Sequence, residues 1–160
     1  MPTILLIRHG LAAEPVRGVP DSGRPLTPEG WEQTRTAMKG LVARGYAPTR
    51  AVSSPYRRAL ETLQCLREAT GEGFPAETWE GLVPQGVPRS VEAWLRAACA
   101  EAPEATLALV SHQPLCSELV LHLTGRGVAF SNAACAVLHF DGANFSLGAH
   151  LLPAELEGQA

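Results

Sequence analysis

The chain has 160 residues, 46% of them hydrophobic, and a formal net charge of -3. That length and apolar content suit one domain spanning residues 1–160, with a core that needs neither disulfides nor metal. Without a basic excess, nucleic acid is not an expected partner. No apolar run is long enough to span a bilayer, and the opening Met1 to Arg8 has no basic leader or cleavage site, so neither membrane insertion nor secretion is expected.

In chain order, Thr3 to Ile7 is a short branched apolar run and predicts a buried strand. Glu14 to Arg24 is rich in Gly and Pro and reads as a loop. Trp31, Thr34, Met38, Leu41 and Val42 recur at helical spacing, with Gly45 as a stop. Ala51 to Ser53 is a weaker second strand. Leu60, Leu63 and Leu66 stripe a second helix ended by Gly71. Gly71 to Pro88 reads as another loop. Val91, Trp94, Leu95, Ala98 and Cys99 mark a third helix, ended before Pro103. Thr106 to Val110 predicts a third strand. Leu115, Leu119, Val120 and Leu123 mark a fourth helix, ended by Gly125. Ala134 to Phe140 and Phe145 to Leu152 read as a late hairpin turning at Asp141, Gly142 and Asn144. Alternating strands and helices imply an α/β fold, a three-layer α/β/α sandwich with a mainly parallel sheet and helices on both faces.

Three strand ends carry the chemistry. Arg8-His9-Gly10 closes the first strand, Ser54-Pro55-Tyr56-Arg57-Arg58 follows the second, and Ser111-His112-Gln113-Pro114 closes the third. In the last two, proline suits the first helical position, with Ser54 and Gln113 as expected caps. In a parallel sheet these junctions share the carboxyl edge, where open α/β sheets bind ligands, and helix N-termini there favour anions. Arg8, His9, Arg58 and His112 are therefore expected to converge on a phosphate site. Arg58 is preferred to Arg57, which reads as a solvated helix residue or a rim contact.

Competing phosphatase chemistries fit poorly. None of Cys65, Cys99, Cys116 and Cys135 has an arginine six residues on, and no pair forms a CxxC motif; they read as buried, reduced thiols of a cytosolic protein. Asp21 and Asp141 are the only aspartates, too far apart for an aspartyl nucleophile and too few for a two-metal site. Lys39 is followed by Gly40-Leu41, not by a Walker sequence. Histidine remains as nucleophile. His9 would attack as neutral imidazole, with Arg8 and Arg58 opposing its protonation and its second nitrogen donating to a loop carbonyl. The two arginines would grip phosphate oxygens, and His112, if protonated, would stabilise equatorial charge in the transition state. No metal or cofactor is required.

Arg8-His9-Gly10, Arg24-Pro25-Leu26-Thr27-x-x-Gly30, Ser54-Pro55-x-x-Arg58-Ala59-x-x-Thr62 and Ser111-His112-x-Pro114 resemble, in order and spacing, the histidine phosphatase superfamily (phosphoglycerate-mutase-like). The resemblance covers residue 3 to about residue 125. The short chain leaves no room for a cap domain, and with Pro84-Gln85-Gly86 it most resembles the compact phosphohistidine phosphatases of the SixA type. That likeness implies dephosphorylation of phosphohistidine on a phosphotransfer domain in two-component signalling. A phosphomonoesterase acting on a small metabolite is the alternative, and a phosphate-sensing module without turnover is a second.

Arg24 is a candidate substrate ligand or, on the blander reading, a loop anchor paired with an acid. Thr27 reads as a helix start. Glu80 is the candidate general acid, with a solvated loop residue as the competing reading; a phosphoramidate needs less leaving-group help than an ester. His122, His139 and His150 share no metal-ligand spacing, and Glu101, Glu104, Glu155 and Glu157 read as solvated charge. Without a marked apolar patch, a cytoplasmic monomer is expected.

Overall fold

Successive side chains of a strand point to opposite faces, so an uninterrupted apolar run must be covered on both sides. β1 (Thr3–Arg8) is such a strand. In the computed structural model, which describes residues 1–71 and 73–157, its Ile4 and Leu6 enter one core and its Leu5 and Ile7 the other. Glu72, in the segment expected as a loop, and residues 158–160, at the end of the expected 1–160 domain, lie outside the described residues.

The first core is filled by Val91, Leu95 and Cys99 of α3 (Pro88–Glu101) and by Leu115, Leu119 and Val120 of α4 (Leu115–Thr124). The second is filled by Met38 and Leu41 of α1 (Pro28–Ala43), Leu63 and Leu66 of α2 (Arg57–Thr70), and Leu156 of α5 (Pro153–Glu157). Apart from Leu156 these residues belong to the stripes the sequence predicts, although Leu60 of the α2 stripe turns to solvent, and they yield the expected three-layer α/β/α arrangement.

One six-stranded sheet runs in the order β3-β2-β4-β1-β5-β6. Here β2 is Arg50–Ser53, β3 is Ala76–Thr78, β4 is Thr106–Ser111, β5 is Cys135–Phe140 and β6 is Phe145–Leu151. Strands β3, β2, β4 and β1 are parallel, and the β5–β6 hairpin joins β1 antiparallel. All four cysteines are buried free thiols, and burial pushes the Cys116 thiol up to about 12.

Several boundaries differ from the sequence-based expectation. The segment Gly71 to Pro88 contains strand β3, a three-residue edge strand with two exposed side chains, too short and polar to announce itself. Helix α2 starts at Arg57 rather than Pro55, because Ser54 spends its hydroxyl on the Tyr56 N–H in a turn that precedes the helix. Helix α4 starts at Leu115, although the Gln113 side chain does accept from the Ser117 N–H at 2.9 Å. The short helix α5 was not expected. Thr27 caps α1 as anticipated, accepting from the Gly30 N–H.

Candidate active site

Strand register sets the site. Arg8 pairs with Ser111 across β1 and β4, and Ser53 pairs with Val110 across β2 and β4. The chain therefore steps off three adjacent strands at one level, leaving His9, Ser54 and His112 side by side. The His9 N–H donates to the Ser111 carbonyl at 3.0 Å and the Ser54 N–H to the Val110 carbonyl at 2.9 Å, so the ladder extends one residue past the strands. From the far side, Ala133 donates its N–H to the Arg8 and His9 carbonyls.

His9 and His112 lie with ring centroids 4.9 Å apart. Both are buried, as is Arg58, which is only 4% exposed. His9 Nδ1 meets the Gly10 carbonyl at 2.6 Å, and Arg58 Nε meets His9 Nε2 at 3.3 Å. A carbonyl can only accept and an arginine can only donate. Nδ1 therefore carries the proton and Nε2 the lone pair. Gly10 suits this turn because a Cβ there would collide with Thr34 Oγ1, while its N–H donates to Thr62 Oγ1 at 3.0 Å.

Burial is the main force lowering the His9 pKa to about 4; the Gly10 carbonyl opposes it, and repulsion from Arg58, Arg8 and Arg24 adds to it. The same causes, burial first and then repulsion from His9 and Arg58, bring His112 to about 3. Protonation of His112, the condition attached to its expected role, is therefore disfavoured in the unliganded site, where it would add a third cation to a buried pocket already containing two arginines. Ser54 Oγ lies 2.8 Å from His112 Nε2. That oxygen also accepts from the Tyr56 N–H, and with its second lone pair and its own proton it pairs with His112 Nε2 in either tautomer of the ring. Nδ1 is buried and has no partner among the described residues, and the same is true of Arg8 Nε. Unpaired buried polar groups are costly, and an anion would accept from Arg8 Nε and from His112 Nδ1 once the ring is protonated.

Arg8 Nη1 donates to the Phe130 carbonyl at 2.8 Å. Tyr56 walls the pocket: its ring meets His112 edge-on at 5.0 Å, and the Arg58 guanidinium lies 5.0 Å from its centroid. Arg24 donates to Asp21 Oδ1 and to the Ala13 carbonyl, a loop-anchor geometry one carboxylate removed from Arg58. Arg57 is exposed and pairs with Glu61. Glu80 is exposed and, among the described residues, makes no side-chain hydrogen bond or ion pair. His122 pairs with Glu92, and among the described residues no group of three or more His, Cys, Asp or Glu is placed to hold a metal ion.

Sequence reasoning brought Arg8, His9, Arg58 and His112 together correctly in space. It missed Asp21, whose carboxylate reaches Arg58; the Asp21 to Arg24 spacing was the available signal. It assigned Ser54 only a capping role and gave Tyr56 no role.

An α/β sheet whose carboxyl edge gathers two arginines around two neutral histidines defines a phosphoryl-handling enzyme. Residues 4–85 match the family model described as histidine phosphatase superfamily (branch 1). The phosphohistidine phosphatase SixA of Escherichia coli is 32% identical over 120 residues, covering 75% of this chain and 73% of that protein. The SixA homolog of Haemophilus influenzae is 33% identical over 150 residues, covering 87% and 88%. The solved structure of the protein histidine phosphatase SixA complexed with tungstate superposes with a TM-score of 0.89 at 30% identity, over 96% of this chain and 99% of that one. The chain belongs to the histidine phosphatase superfamily, and it is a phosphatase of the SixA-like group. No helix among the described residues is long and apolar enough to cross a membrane.

Proposed function

We propose that this phosphatase removes the phosphoryl group from phosphohistidine displayed on another protein, through a covalent phosphohistidine at His9. The observation that carries the reading is the His9 ring itself, buried, neutral, and held with Nε2 toward Arg58 and Nδ1–H on the Gly10 carbonyl.

In the first step Nε2 attacks phosphorus and the P–N bond of the substrate breaks. Its electron pair returns to the leaving imidazole, which departs neutral when its far nitrogen already carries a proton. Arg8 and Arg58 hold the phosphoryl oxygens. His112 donates from Nδ1 to an equatorial oxygen, and the charge arriving with the substrate favours its protonation. In the second step water attacks phosphorus and the P–Nε2 pair returns to His9. Because Nδ1 keeps its proton on the Gly10 carbonyl, His9 also leaves as neutral imidazole. The water proton passes to the phosphate.

An exposed Glu80, without side-chain partners among the described residues, fits a substrate whose leaving group needs no committed acid, and no observation favours the small-ester or the sensing alternative. On this reading the enzyme is a cytoplasmic monomer, its partner a phosphotransfer domain, with no nucleic acid or membrane involved.

The test is phosphate release from a phosphohistidine-bearing phosphotransfer domain and from a panel of small esters, in EDTA, with His9→Ala as control. Rapid release from the phosphohistidine protein, lost in the variant, is expected. Preferential turnover of a small ester would overturn the substrate assignment, and phosphate binding without turnover of anything would overturn catalysis.

A further inference from the structure

Arg58 is unusual among the pocket residues in being tied to a side chain that no motif includes. Its Nη1 donates to the Asp21 carbonyl at 2.8 Å and its Nη2 to Asp21 Oδ2 at 3.2 Å. The third contact, from Nε, falls on the lone pair of His9. Asp21 sits in the short turn Asp21–Gly23 and would be free to swing, since its side chain is 52% exposed. It is instead held from outside by Arg24, whose Nε donates to Asp21 Oδ1 at 2.8 Å while Nη1 is fixed on the Ala13 carbonyl at 2.7 Å. The carboxylate is thus clamped between two guanidinium groups, one anchored to the loop and one facing the nucleophile.

We propose that Asp21 is a positioning residue: its carboxylate and carbonyl park Arg58 over the His9 lone pair in the free enzyme and surrender it to the incoming phosphoryl group. This rests on the proposed phosphoryl transfer through His9. With Arg58 Nε on Nε2, the nucleophile is covered and cannot attack. A phosphoryl dianion competes with Asp21 for the same guanidinium, and as Arg58 turns to it the lone pair is uncovered. After hydrolysis the carboxylate draws Arg58 back, which loosens the hold on orthophosphate. Asp21 therefore aims Arg58 and at the same time weakens retention of the product anion. A residue that merely supported the loop would do neither separately.

The experiment compares wild type, Asp21→Asn and Arg24→Gln, with Glu14→Gln as a charge-matched control in the same loop. Inorganic phosphate affinity is measured by titration, alongside kcat and KM on the phosphohistidine protein. Asp21→Asn should bind phosphate about 5-fold more tightly, the scale of one partly exposed ionic contact, while kcat falls about 10-fold as Arg58 loses its aim. Arg24→Gln should move both quantities the same way by a smaller factor, and Glu14→Gln should move neither. Weaker or unchanged phosphate binding in Asp21→Asn overturns the proposal, as does a proportional loss of binding and turnover. Should wild type bind phosphate but release none from any substrate, the functional reading fails, and the shift in phosphate affinity still decides whether Asp21 governs Arg58.

Discussion

The two buried histidines make acid stability a direct test of the neutral-nucleophile argument. In the unfolded chain each titrates near the ordinary value of 6.5, whereas in the fold His9 is lowered to about 4 and His112 to about 3. Below about pH 6.5 the unfolded state binds protons that the folded state refuses, so stability falls with pH. Each histidine costs about 1.4 kcal/mol per pH unit once it titrates fully in the unfolded chain. From about pH 7.5 to about pH 4.5 the pair removes about 5 kcal/mol, a large part of the stability of an ordinary domain. Asp21 works in the opposite sense. Slight burial raises its pKa, but hydrogen bonds from Arg24 and Arg58 outweigh this and lower it. Its stabilisation is present above the unfolded carboxylate range and is lost only as pH falls through the lowered value, beneath this window. The assay is urea unfolding in phosphate-free buffer at about pH 7.5, 5.5 and 4.5, comparing wild type with a His9→Gln/His112→Gln double variant. The other histidines cancel in the difference. The wild type should lose about 5 kcal/mol more than the variant across the range. Parallel curves would mean that both rings protonate freely inside the fold, and the argument for a neutral His9 would collapse.

Gly10→Ala drives a Cβ into Thr34 Oγ1 and against the Gly30 carbonyl; it should destabilise the fold by about 1–3 kcal/mol and displace the His9 acceptor, read as a lower urea midpoint and at least about a tenfold loss of kcat. Ser54→Ala removes the partner of His112 Nε2, leaving a buried ring nitrogen unpaired at a cost of about 1–3 kcal/mol, with kcat/KM falling about 10-fold or more as the ring loses its anchor. Glu80→Gln should leave phosphohistidine turnover within about twofold of wild type, and a large loss in steady-state kinetics would restore Glu80 as general acid.

The legible parts of the fold were those with strong periodicity. The run Thr3 to Ile7 had to be buried on both faces, and the stripes of α1, α3 and α4 had one apolar side each. Strand β3 was illegible because two of its three side chains face solvent, and its position depends on hydrogen bonds to β2. Helix α5 is too short to show a period, and Leu156 is buried only because α1 lies beneath it.

The site divides in the same way. Arg8, His9, Arg58 and His112 were placed by motif and by the rule that parallel strands share a carboxyl edge, information local to each junction. Tertiary structure alone lowers the His112 pKa, because the shift follows from burial and from cations brought in by distant segments. It also decided that Glu80 faces solvent while Asp21, in the loop from Glu14 to Arg24 and given no role by the sequence, reaches Arg58 across 37 positions of sequence. The chain by itself determined which chemical groups were available and which strand ends carried them. Their electrostatic environment arises only when separate segments exclude water together, and no local pattern encodes it.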